Sequence, residues 1–229
     1  GKALPKQLIK LLKEEPGLWD LPELPEIGSP LSDAGLIKNA QKYFSSRFSA
    51  NNCWFGVNGA SGLIQSAILS LANPGDYLLM PRNIHISVIK ICTIANITPI
   101  FFDLEFSEKI GHYLPLKKER LVKVLESDLL KNINISGIIF VNPSYQGFAS
   151  EIKSLVQICH DRNLPVLVDE AHGSYFMFYE DFGLPSSAVK AKADLVVHSL
   201  HKSLNGLTQT AMLWHFGNLL DKDKIVRSI

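Results

Sequence analysis

Cysteine is scarce in this chain, with three in 229 residues, at Cys53, Cys92 and Cys159. Three scattered cysteines make neither a disulfide framework nor a Cys-rich zinc site. They read as reduced core residues, which predicts a cytoplasmic chain. Long apolar runs are missing too; none approaches the roughly 20 residues that a membrane span needs. Charge of one sign is not in excess, since 23 Lys and Arg face 22 Asp and Glu for a net +1. No global field therefore invites a nucleic acid or an anionic membrane. There is no internal repeat and no low-complexity linker. The opening residues Gly1-Lys2-Ala3-Leu4-Pro5 offer neither an initiator Met nor the apolar core of a leader. Both ends read as cut, and the expectation is a fragment. What the chain does have is 46% hydrophobic against 20% charged residues. That is apolar surface enough to offset chain entropy in one large domain or two small ones.

The first fifty residues predict a helical, irregular segment. Leu8, Leu11 and Leu12 recur at helical spacing within Gln7–Glu14, and the proline-rich stretch 16–31 forbids a long helix. Ser32 or Asp33 is the expected cap of a helix reaching about Phe48, with Leu36, Ile37, Ala40 and Phe44 inward. From residue 51 the rhythm changes to alternating strand and helix. Strands are expected at Trp54–Val57, Tyr77–Met80, Thr98–Phe102, Ser136–Val141, Pro165–Val168, Leu195–Val197 and Thr208–Trp214. Helices are expected from Gly62 to Leu71, at His85–Ala95, Pro115–Lys131 and Glu151–Asp161, and around Leu219–Lys224. Strands apolar on both faces, alternating with helices, mean an α/β fold with a mostly parallel sheet covered on both sides.

In such sheets ligands bind just past the strand C-termini. Unusual polar residues fall there: Asn58–Ser61, His85, Asn142–Tyr145, Asp169–His172 and Ser199–Lys202. Gly59-Ala60-Ser61-Gly62 lies between a strand and a helix, where backbone N–H groups attract a phosphate and Ser61 adds a hydroxyl. It lacks the Gly-Lys-Ser/Thr ending of a P-loop and the three-glycine spacing of a dinucleotide fingerprint, and a plain tight turn is the competing reading. Asp169 ends a buried strand, where a carboxylate is costly unless a cation or several donors meet it. It reads as a loop cap or, with His172, as a weak metal site without a third ligand at a recognisable spacing, so no metal is expected. Lys202 follows an apolar strand. Partial desolvation there would lower its pKa and expose a neutral amine for Schiff-base chemistry, the alternative being a surface lysine.

Taken together, a phosphate cradle, a strand-end acid and a lysine fit pyridoxal phosphate. That cofactor needs donors for its phosphate, an acid for its pyridine nitrogen and an amine for its aldehyde. His85 could cover one face of the ring and the methyl of Ala171 the other; a polar helix cap is the rival reading of His85.

Asp169-Glu170-Ala171-His172-Gly173, Ser199-Leu200-His201-Lys202-Ser203-Leu204 and Leu207-Thr208-Gln209-Thr210-Ala211 resemble the Orn/Lys/Arg decarboxylase family. Val57–Gly62, Pro81–His85, Asn142–Gly147 and Trp19–Leu24 match it in the same order. The resemblance implies the aspartate-aminotransferase-like fold of pyridoxal-phosphate enzymes of fold type I. Its large domain would be a mostly parallel seven-stranded sheet flanked by helices, spanning residues 51–229, with the C-terminal small domain absent. It implies Lys202 as the amine that bonds the cofactor, Asp169 as the partner of the pyridinium, and His85 and Ala171 against the ring. Ala60, Ser61, Ser199 and His201 would hold the phosphate, and His172 would lie near the phenolic oxygen or the substrate. The catalytic set is then Lys202, His201 and His172.

The implied activity is decarboxylation of arginine, lysine or ornithine to the amine and carbon dioxide, a step in polyamine biosynthesis, in a cytoplasmic homodimer. Two departures stand out. Ala60 replaces a hydroxyl residue, at a cost of about 1 kcal/mol if nothing substitutes for its hydrogen bond. Tyr175 stands where relatives often carry His. A truncated binding or regulatory domain, and another fold-type-I reaction such as transamination or aldol cleavage, are the competing functions.

Overall fold

The computed structural model describes residues 5–15, 18, 22, 24–29 and 31–229. Most of the Trp19–Leu24 motif therefore lies outside the described residues. Along the chain, α1 (Lys6–Leu11) and α2 (Leu36–Arg47) precede β1 (Asn52–Gly56), α3 (Gly59–Leu71), β2 (Tyr77–Pro81), α4 (Ile86–Ile94) and β3 (Thr98–Phe102). A two-strand hairpin, β4 (Phe106–Ser107) and β5 (His112–Tyr113), leads to α5 (Lys118–Leu125) and β6 (Ile135–Val141). Then come α6 (Ile152–His160), β7 (Val166–Asp169), α7 (Phe176–Tyr179), β8 (Leu195–Ser199), α8 (Leu200–Ser203), β9 (Ala211–His215) and α9 (Lys222–Ser228).

Seven strands form one sheet in the order β1-β9-β8-β7-β6-β2-β3. β3, β2, β6, β7 and β8 pair in parallel, while β9 runs antiparallel to both β8 and β1. β1 thus points the same way as β8. Neighbouring residues of one strand enter opposite cores, which is why these strands read as continuous apolar runs. Leu78, Met80, Leu167, Leu195 and Val197 pack with Ile64 and Ile68 of α3 on one face. Leu79, Phe140, Val168 and Val196 pack with Leu121 of α5 and Leu155 of α6 on the other. Each such fully buried aliphatic side chain stabilises the fold by roughly 1.5–3 kcal/mol. The fold is the expected α/β one, a mostly parallel seven-stranded sheet flanked by helices.

Several local expectations need correction. No side chain caps α2 at Ser32 or Asp33, and its N-cap is Gly35 at φ +98°. Ser32 instead accepts the Ser29 N–H at 2.8 Å. Leu36 is 65% exposed rather than inward, and Gln41 is the buried residue of that helix. The helix expected over Pro115–Lys131 divides into α5 and a 3-10 turn at Asp128–Leu130. The Ser127 hydroxyl accepts the Leu129 N–H there, a local bond that competes with helix continuation. The last helix starts at Lys222 because the Asp221 carboxylate accepts the Asp223 N–H and caps it. The β4–β5 hairpin was not expected at all; at two residues per strand it carries too little alternation to read.

Candidate active site

Strand direction gathers the polar loops. The C-terminal ends of β1, β2, β6, β7 and β8 all open on one edge of the sheet, so Asn58–Ser61, His85, Asn142–Tyr145, Asp169–His172 and Ser199–Lys202 share it. The strand order reverses between β2 and β6, where the chain, after laying β3 outside β2, returns to build β6, β7 and β8 on the other side. Such a switch point is where open α/β sheets leave a crevice for ligands. The loops that flank it carry His85 on one side and Asn142 to Tyr145 on the other. Gly173 keeps the β6 and β7 loops together, since a Cβ there would come within 2.5 Å of Pro143 Cδ and 2.9 Å of Glu170 Cγ.

Asp169 is the last residue of β7 and is buried. Its Oδ1 accepts the Ala171 N–H at 3.1 Å. Burial pushes its pKa above the ordinary carboxylate value. The Ala171 N–H and the positive charges of His85, Lys202 and His198 pull it back without cancelling the burial. Among the described residues this carboxylate forms no ion pair.

Lys202 sits in the short α8, directly after β8, and its amine is exposed. Its Nζ lies 3.0 Å from His172 Nε2. Burial lowers the His172 pKa, and the charges of Lys202 and His85 lower it further, so the imidazole is neutral and accepts the lysine N–H. Ser203 anchors α8 through a 2.6 Å contact to Ser174 Oγ, in the loop that also holds His172. Tyr145, 81% exposed, presses edge-to-face on His172 at 5.4 Å between ring centroids.

At the other end of the edge, α3 begins at Gly59, whose φ of +68° suits glycine. Ala60 and Ser61 lie in the first turn, where N–H groups have no carbonyl of their own helix to meet. Ser199 is buried at the end of β8, and its Oγ finds no hydrogen-bond partner among the described residues. His201 is half-buried and its Nδ1 lies 3.3 Å from Thr210 O. His85 caps α4, with its Nδ1 accepting the Ser87 N–H at 3.2 Å. The cap reading is thus realised, yet the ring remains exposed at the site edge. Ala171 is buried beside Asp169. Among the described residues no three His, Cys, Asp or Glu side chains cluster as metal ligands. All three cysteines are buried and free, as expected of core residues.

Two features escaped the sequence reading. Tyr145 carried no assigned role, though an aromatic residue just past an apolar strand was a usable signal. The other is a sealed relay beneath the site. Trp214 Nε1–H donates to His198 Nδ1 at 3.0 Å, His198 Nε2–H donates to Glu170 Oε2 at 2.7 Å, and the Ala188 N–H donates to Glu170 Oε1 at 2.7 Å. Glu170 and His198 are wholly buried, one residue away from Asp169 and Ser199 respectively. Nothing in the sequence reveals that pairing, which depends on the β7–β8 register.

The fold defines a class, the aspartate-aminotransferase-like fold type I. The lysine decarboxylase LdcF of Francisella novicida superposes with a TM-score of 0.72 at 21% identity, covering 89% of this chain and 29% of that one. The pyridoxal-5'-phosphate-dependent protein YhfS of Escherichia coli superposes with a TM-score of 0.66 at 15% identity, covering 96% of this chain and 54% of that one. Within that class the chain belongs to the Orn/Lys/Arg decarboxylase family, whose major domain is matched by residues 19–228. The arginine decarboxylase of Halalkalibacterium halodurans is 37% identical over 188 residues, 80% of this chain and 37% of that protein. Three Bacillus relatives at 34–36% identity bear the same name. The chain spans about two fifths of the length of these relatives.

Proposed function

We propose that the chain is the cofactor-binding part of a pyridoxal-phosphate-dependent decarboxylase of a basic amino acid, with residues 51–229 as the cofactor domain and 1–50 as an N-terminal segment. The observation that carries this reading is an accessible Lys202 amine, 3.0 Å from His172, on the same sheet edge as a buried carboxylate, Asp169, that forms no ion pair among the described residues. The fit extends to Ser199, a buried hydroxyl without a partner, and to the open first turn of α3 at Ala60 and Ser61. A phosphate accepts hydrogen bonds from such donors, and a protonated pyridine nitrogen is a cation that Asp169 could pair with.

Bound there, pyridoxal phosphate would supply an electron sink for the electron pair left at Cα when the carboxylate departs as carbon dioxide. The chain's own residues do the rest. Lys202 would supply the amine that holds the cofactor through its aldehyde. Asp169 would hold a proton at the ring nitrogen. His85 and Ala171 would hold the ring, and Ala60, Ser61, Ser199 and His201 would hold the phosphate. His172 accepts the Lys202 N–H and so fixes where the amine rests. Lys202 or His201 would return a proton to Cα after the carbon–carbon bond breaks. Holding the departing carboxylate in one orientation contributes much of the acceleration.

The names of the relatives favour arginine among the basic amino acids. A homodimer working in the cytoplasm is the assembly that accompanies this reading. The test is to load the protein that carries these residues with pyridoxal phosphate and supply arginine, lysine and ornithine. Carbon dioxide release from one of them is expected, together with a visible absorption band that Lys202→Ala abolishes. A band without release from any of the three would favour a binding-only domain.

A further inference from the structure

Two buried side-chain atoms at the switch point have no hydrogen-bond partner among the described residues. One is Asn83 Oδ1, in the loop after β2, and the other is Asn142 Nδ2, in the loop after β6. Both residues line one narrow cavity of about 20 Å³. That is room for a single water molecule, which needs at least about 10–15 Å³. A buried polar atom left unpaired is costly, so each of the two calls for a partner. Asn142 is itself buried, and its other amide atom fixes which way round it lies. Its Oδ1 accepts the Ser150 N–H at 2.7 Å, and a backbone N–H can bond only to an acceptor. The NH₂ group is therefore the end left for the cavity.

An unpaired acceptor and an unpaired donor on one cavity select its occupant. A cation would meet the Asn142 NH₂ group and an anion the Asn83 oxygen, and no Lys, Arg, His, Asp or Glu lines the cavity to offset either charge. An apolar occupant would leave both atoms unpaired. Water fits the volume, donates to Asn83 Oδ1 and accepts from Asn142 Nδ2. Ser144 and Ser150 line the same space. The Ser144 hydroxyl oxygen accepts the Phe148 N–H at 3.2 Å, which leaves its own O–H to make a third bond to the water.

We propose that this cavity is a one-water site that joins the two loops across the switch point, with Asn83 and Asn142 as positioning residues. Asn142 is tied to the acid of the candidate site, because its backbone N–H donates to Asp169 O at 3.0 Å. Asn83 lies two residues before His85, the cap of α4. The water thus carries the fixed position of the β6 and β7 strand ends over to the loop that presents the His85 ring, and sets how far that ring stands from Asp169. The site does not rest on the decarboxylase reading, and none of its tests uses enzyme activity.

A high-resolution crystal structure of the cofactor-free protein should show one ordered water within about 2.7–3.2 Å of both Asn83 Oδ1 and Asn142 Nδ2. An empty cavity, an ion there, or a direct bond between the two amides would overturn the site. Asn83→Leu keeps the side-chain shape and removes the acceptor, so its crystal structure should lack the water. The Ser87 and Val88 amides, bonded to the His85 ring and carbonyl, should exchange hydrogen roughly 5-fold faster in that variant, the effect of about one lost hydrogen bond. Amides in the middle of β7 should keep their rates. Unchanged exchange at Ser87 and Val88 would overturn the positioning role. In denaturant unfolding, Asn83→Leu and Asn142→Leu should each lower the folding equilibrium constant by roughly 5- to 100-fold. The double variant should lose less than the product of the two, because it leaves no orphaned partner. A double variant that loses the full product would overturn the bridge. Asn142→Leu also takes the acceptor from Ser150. Should it fail to fold, the crystal structures and the exchange rates of Asn83→Leu decide.

Discussion

Two histidine pairs lie close together in this fold and differ in almost every physical respect. His198 and Glu170 are sealed between β7 and β8, and every polar atom of their side chains has a partner. His172 and Lys202 stand on the open edge, where the amine is exposed and the Asp169 carboxylate forms no ion pair among the described residues. A saturated buried network can only hold shape; an unsaturated exposed one has capacity left for a ligand. The contrast teaches that position relative to the sheet edge, rather than residue type, separates the structural pair from the chemical one.

The largest expected effect comes from breaking the sealed pair. Glu170→Leu leaves the His198 N–H and the Ala188 N–H without acceptors, and should cost about 3–5 kcal/mol in denaturant unfolding. Combining it with His198→Leu should recover part of that loss; a double variant as unstable as the sum of the singles would refute the pairing. Asp169→Asn should behave oppositely. It removes a buried charge, so stability should hold or rise, while decarboxylation falls by orders of magnitude because an amide cannot keep the ring nitrogen protonated.

The same carboxylate predicts a pH effect in cofactor-free protein. Burial raises the folded pKa of Asp169 above its ordinary 3.8. The folded state therefore takes up this proton at higher pH than the unfolded chain does. The Asp169 contribution to stability should grow as pH falls through the folded value and level off below 3.8. Subtracting the Asp169→Asn unfolding profile isolates it; a parent protein that loses stability relative to that variant on acidification would reverse the sign. The smallest effect is expected at Ser199. Because its hydroxyl has no partner, Ser199→Ala should alter stability by less than about 0.5 kcal/mol. It should weaken cofactor binding by about 1 kcal/mol, the worth of one hydrogen bond.

Much of this was legible beforehand, for identifiable reasons. Strands such as Tyr77–Pro81 and Ile135–Val141 announce themselves because a sheet covered on both faces needs unbroken apolar runs. The site loops were legible because polar residues follow those runs directly. The start of α2 was not, because Ser32 bonds to Ser29 and leaves Gly35 to begin the helix. His85 was readable as a cap or as a ring cover, and its cap bond to Ser87 leaves the ring free for either role.

Composition and local pattern alone determined that alternating apolar strands and helices would build a covered parallel sheet with a lysine, an acid and a glycine-rich turn past the strand ends. That information is local: each element is set by the periodicity and turn chemistry of a few residues. Only the tertiary structure decided which loops meet. It placed the order reversal between β2 and β6, brought Asn83 and Asn142 to one cavity, and set Glu170 against His198 while Asp169 faced the site. Those are matters of strand order and register, fixed by burial of both sheet faces at once, and no stretch of sequence contains them by itself.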